Sequence, residues 1–207
     1  METYARLIQE LIDDESTPVD LFHTISTTTL LKDKTAWLLK WSDREAYSFT
    51  TRVVALAIVK GIFFSSSVAA IFWVQSRGIL PGLCHSIALI MRDVRRHMDF
   101  ACEIYRTLED ELSVGAVHSM VRDAVVLERN IFRSAWLFHG ILTSADAVAV
   151  ALPQALLGLN SLLMDEYVGY VADVMLRRLG FPALYDVANP VSLILNPGVL
   201  IAHRIFL

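Results

Sequence analysis

Between Arg52 and Gln75 the chain carries one charge, Lys60, in a run that is otherwise almost wholly apolar. A segment of this kind has to be covered on nearly all sides, either by other protein or by lipid. The whole chain leans the same way, with 55% hydrophobic and 19% charged residues and a mean hydropathy of +0.48. Ser76, Arg77, Gly78 and Pro81 read as the stop signal of the run. A second nearly uncharged stretch spans Gly140 to Met164. Each stretch approaches the ~20 residues that span a bilayer. Each also holds a charge near its middle, Lys60 or Asp146, which costs roughly 3 kcal/mol on insertion scales. The main expectation is therefore a helix buried in a bundle, with no membrane partner, and a membrane-associated helical protein is the lesser alternative.

The remaining segments also favour helices. Tyr4, Leu7, Ile8, Leu11 and Ile12 share one helical face, closed by the acidic run Asp13 to Glu15 and by Pro18. Leu21, Phe22 and Ile25 start a short apolar segment, and Lys32, Lys34, Trp37 and Trp41 give the next element a basic entrance and an aromatic face. Helices are expected from about Ser86 to Leu108, and through Val121, Ala124, Val125, Glu128 and Phe132. A last helix is expected from Tyr167 to Leu179, with Gly180 as its C-cap and Pro182 just beyond. Strand signals are scarce, and no repeat, low-complexity tract or linker interrupts the chain. The fold class is all-α, in a single domain over 1–207.

Charge and cysteine content exclude several functions. A net charge of -4 and a pI near 5.8 give no basic patch to attract phosphates, so no nucleic acid is expected as a partner. Cys84 and Cys102 are too few for a disulfide framework and lack metal-type pairing, which fits a reducing cytosol. The first residues, with Glu2 and Arg6, show no signal-peptide pattern, and a cytoplasmic location is expected.

Three blocks in sequence then narrow the reading. They are GIFFSSSVAAIFW at Gly61 to Trp73, RGILPGL at Arg77 to Leu83, and MRDVRRHMDFAC at Met91 to Cys102. In content and spacing they closely resemble the small subunit of class I ribonucleotide reductase, most of all its vertebrate and poxvirus branch. The resemblance extends through KDKTAWLLKW at Lys32 to Trp41 and through Ala151 to Phe181, ending with Asn189 and Pro190. It leaves out a stretch near 133–150 that reads as an insertion, and the last residues. The resemblance implies a ferritin-like helical bundle holding two irons, with a Glu from each of two helices and Glu-x-x-His pairs from two others, an Asp replacing one Glu. It also implies an oxidised tyrosine whose radical passes to a large subunit, in deoxyribonucleotide biosynthesis for DNA replication.

Tested position by position, this chain departs from the pattern. It starts just after the family's first Glu-x-x-His, so the bundle is expected to be partial, without the family's N-terminal helices. Tyr4 falls at the radical-tyrosine position and is read as a packed aromatic. Lys60 stands where a Glu precedes GIFF, replacing an anionic ligand by an ammonium with three donors. Val94 replaces the Glu of the Asp-Glu-x-x-His stretch, leaving Arg92, Asp93 and His97, with His97 the one matching ligand. Phe64 and Ile90 match residues lining the radical pocket, whereas Val68 replaces a Phe. One imidazole cannot offset the charge of two irons, so no di-iron cofactor is expected. Lys60, Asp93 and His97 are expected instead to form a buried polar cluster. His23, His85, His118, His139 and His203 have no partners at ligand spacing. Trp37 and Trp41, at i and i+4, are expected in the core. The ending VLIAHRIFL lacks the family's acidic mobile tail. The function expected is a pseudoenzyme: a non-catalytic homologue acting by binding a small or large reductase subunit, or as a homodimer. The competing reading is an active chain completed by a partner subunit. A remnant with no selected activity is a further one.

Overall fold

The computed structural model describes residues 29–76, 78–142 and 161–190. The expected helix at Tyr4 to Ile12, the segment at Leu21 to Ile25 and most of the Gly140 to Met164 run lie outside the described residues. Six helices make up the rest: α1 Thr29–Ser42, α2 Phe49–Gly61, α3 Ser65–Ser76, α4 Pro81–Thr107, α5 Val114–Leu142 and α6 Ser161–Leu179. Every regular element among the described residues is a helix.

The central apolar stretch is α2. Thr50, Val53, Val54, Ala57, Ile58 and Gly61 are buried along it, and it packs on α1, α4, α5 and α6. Its core partners include Met98 and Ala101 of α4, Val121 and Val125 of α5, and Ala172 and Met175 of α6. Packing on four helices gives α2 protein neighbours in place of lipid, and the most apolar window of Phe49–Trp73, of mean hydropathy 2.0, is 56% buried. The start of α2 is set by Ser48, whose side chain accepts the Thr51 amide at 3.2 Å.

The expectation of one helix over 52–75 is corrected here, because the stretch is two helices parted at Ile62 to Phe64. Phe64 has a left-handed backbone, φ 71°. Pro81 also plays a different part from the stop signal expected of it. It opens α4 at the first helical turn, five residues earlier than expected, because the missing N–H of proline costs nothing there. The last helix begins at Ser161 and ends as its sequence requires. Gly180, φ 90°, donates to the Arg177 carbonyl at 3.1 Å, and Phe181 donates to Leu176 at 2.9 Å, a Schellman closure. Phe181 then packs on Tyr105, ring centroids 5.6 Å apart. The first ten residues of the 133–150 stretch continue α5 through Leu142.

Candidate functional site

Lys60 lies in the last turn of α2 and is half-buried. With Val94 it lines a pocket of about 20 Å³ between α2, α4 and α6, floored by Gly61, Met91 and Met98 and flanked by Arg95 and Tyr170. Space for about one water is all such a volume provides. Burial pushes the Tyr170 hydroxyl above its usual pKa, against the lowering effect of Arg177. Val94 also packs beside Val68, Phe72 and Met91, an apolar contact at a position where the resemblance implies a carboxylate.

The expected buried cluster of Lys60, Asp93 and His97 does not form. Asp93 and His97 are exposed. Asp93 pairs with Arg96 at 3.4 Å and Arg92 at 3.9 Å, all three side chains more than half exposed. The reason is helical geometry. The face of α4 that packs inward runs through Met91, Met98, Ala101 and Tyr105; position 93 lies well away from that row and position 97 at its edge. Ile90 and Phe64 are exposed as well, at 41% and 56%, so they line no closed pocket. Val68, in contrast, is 5% exposed and fills its place by packing. Tyr4 lies outside the described residues. Among the described residues no three His, Cys, Asp or Glu side chains converge as a metal-holding group. An ammonium, a valine and one exposed imidazole do not fit a pair of irons, whose charge needs several carboxylate oxygens.

A different polar site joins α1 and α5. Glu128 of α5 is fully buried, 0% exposed, and Lys34 of α1 is 6% exposed. Lys34 Nζ donates to Glu128 Oε2 at 2.5 Å. The same oxygen accepts the Phe64 amide at 3.0 Å, while Oε1 accepts the Ser66 amide at 2.9 Å and the Ser66 hydroxyl at 2.5 Å. Lys34 also sits over the rings of Phe63 and Phe64, 5.0 and 4.7 Å from their centroids. One carboxylate thus ties α1 and α5 to the break between α2 and α3. Sequence reading named both residues without pairing them. The signal was Glu128 itself, a carboxylate on the apolar row of Val121, Ala124, Val125 and Phe132, which has to find a buried partner. Trp37 takes the core position expected of it, edge-on to Phe63 at 5.3 Å and beside Trp41 at 6.0 Å.

The sequence profile of the family "Ribonucleotide reductase, small chain" matches residues 1–190. The chain belongs to that family. The ribonucleoside-diphosphate reductase small chain of Nicotiana tabacum is 40% identical over 189 residues, covering 91% of this chain and 52% of that one. The Variola virus small chain is 37% identical over 195 residues, covering 94% and 56%, and the subunit M2 of Mesocricetus auratus is 38% identical over 196, covering 94% and 46%. These identities do not single out a vertebrate and poxvirus branch. The chain spans about half the length of the relatives it matches. A ribonucleotide reductase homodimer from Saccharomyces cerevisiae superposes with TM-score 0.67 at 26% identity, over 82% of this chain and 49% of that one. A class I ribonucleotide reductase structure from Bacillus halodurans superposes with TM-score 0.72 at 19% identity, over 93% and 68%, and so shares the fold. The fold is the ferritin-like helical bundle of reductase small chains.

Proposed function

We propose that this member of the reductase small-chain family is non-catalytic and acts by binding, pairing with another small chain or with the large subunit and so altering assembly. The observation that carries this reading is the pair Lys60 and Val94, which meet at one apolar pocket where the family pattern has two carboxylates. An ammonium there repels a divalent cation, and a valine offers no lone pair. A core cluster shared by α1, α2, α4, α5 and α6 is nonetheless present, so the fold that presents subunit surfaces is retained without the chemistry. The yeast relative forms a homodimer, which makes small-chain pairing the first partner to test. Cys84 and Cys102, both free and buried, fit a cytoplasmic setting.

The experiment mixes the purified chain with intact small and large reductase subunits and follows mass by light scattering after gel filtration. A stable mixed complex carrying no added iron is the expected result. Retention of about two irons per chain, the family complement, or a tyrosyl-radical signal on mixing, overturns it in favour of an active chain completed by its partner. Absence of any complex refutes the binding role.

A further inference from the structure

We propose that the junction of α2 and α3 is a latched hinge: the Glu128 carboxylate holds the helix broken, and its release lets residues 49–76 join into one continuous helix. The local sequence permits continuity. No proline lies between Phe49 and Leu80, and the stretch from Phe49 to Trp73 is apolar nearly throughout. The left-handed residue is Phe64, φ 71°, a bulky aromatic for which that conformation is disfavoured. Gly61, the residue best able to turn the chain, stays inside α2. Gly61 and Ser65 to Ser67 weaken the helix here, but none of these residues forbids a continuous one.

What holds it comes from outside. In a continuous helix the Phe64 and Ser66 amides would donate to the carbonyls of Lys60 and Ile62. Here both donate to Glu128 instead, at 3.0 and 2.9 Å, with the Ser66 hydroxyl added at 2.5 Å. Lys34 neutralises the carboxylate at 2.5 Å, which lets it stay buried. The broken state also has a defect, since the buried Ser65 hydroxyl finds no hydrogen-bond partner. In a helix it can reach the carbonyl four residues back. The same two amides thus have two complete sets of acceptors, one local and one tertiary, which is the physical requirement for a two-state element.

The hinge lies between the Lys60 pocket and an apolar packing contact. Lys60 and its pocket sit one turn before it. Val68 and Phe72, just after it, pack on Met91 of α4. Straightening the junction rotates that pair relative to Met91 and Val94, so the Lys34 and Glu128 latch on α1 and α5 sets the shape of the Lys60 pocket.

The test uses the full chain and backbone NMR with amide hydrogen exchange. In the wild type, Phe64 is expected to show a non-helical 13Cα shift. Glu128→Ala should move residues 62 to 64 to helical values while shifts on α4 and α6 persist. Phe64→Gly removes the penalty of the left-handed backbone and disfavours helix, so exchange at the Phe64 and Ser66 amides should slow roughly two- to fivefold. Ser66→Ala, which deletes one latch contact and spares the ion pair, should speed it. A folded Glu128→Ala protein that keeps Phe64 non-helical overturns the proposal. Where that variant does not fold, unchanged exchange in both Phe64→Gly and Ser66→Ala overturns it equally.

Discussion

Lys34 and Glu128 face each other with almost no access to water, 6% and 0% exposed. Removing one partner strands the other charge in the interior. Lys34→Met is therefore expected to lower stability by about 3–5 kcal/mol, read from the urea midpoint. Adding Glu128→Leu should cost less than the two single losses combined, because the second change removes the stranded charge. Cys102 makes a second prediction at this scale. Burial, aided by the Asp99 carboxylate, pushes its thiol from 9.0 up to about 11. Between those values the folded chain keeps a proton that the unfolded chain has released. The contribution is complete below pH 9 and is lost as pH rises through 11. Denaturation of wild type and Cys102→Ala at several pH values in that window should show the wild type falling more steeply with pH.

Elements meet here through small residues and flexible ones. A Cβ added at Gly61 would lie 2.8 Å from Met98 Sδ and 3.2 Å from Met175 Cγ, where α2 meets α4 and α6. Methionine side chains yield readily, so Gly61→Ala is expected to cost only about 1 kcal/mol. Gly61→Val, which cannot be absorbed by moving one sulfur, should cost distinctly more, and thermal unfolding of the two variants gives the comparison. The α4 and α6 contact is also clamped at its edge, where Asp99 accepts from Arg178 and faces Arg95 at 3.6 Å. This pair is partly exposed, so packing rather than charge holds the two helices together.

For the molecule as a whole, much of the apolar content goes into α2, which packs on four other helices. Ile58, 0% exposed, stands at that centre, and Ile58→Ala is expected to cost about 2–5 kcal/mol. Phe100 is the counterpart at the surface, 65% exposed. Phe100→Lys should change stability by no more than about 0.5 kcal/mol. Chemical denaturation of the two variants side by side measures how sharply the bundle divides inside from outside.

The all-helical class, the family and the ends of several helices were legible in the residues alone, because each depends on local pattern. Apolar spacing marked the buried faces, Gly180 marked a stop, and the blocks around Gly61 and Met91 carried ancestry. The identities of Lys60 and Val94 were equally plain, since a lysine or a valine where the resemblance implies a carboxylate is read without coordinates. Their surroundings were not. Which face of α4 turns inward left Asp93 and His97 in water, and that depends on how α4 sits against α2. The break at Phe64 was invisible for the same reason: its cause is a carboxylate 64 residues away on another helix. Without a proline the local chain permits an unbroken rod there, and a hydrogen-bonding partner brought in by the fold decides against it.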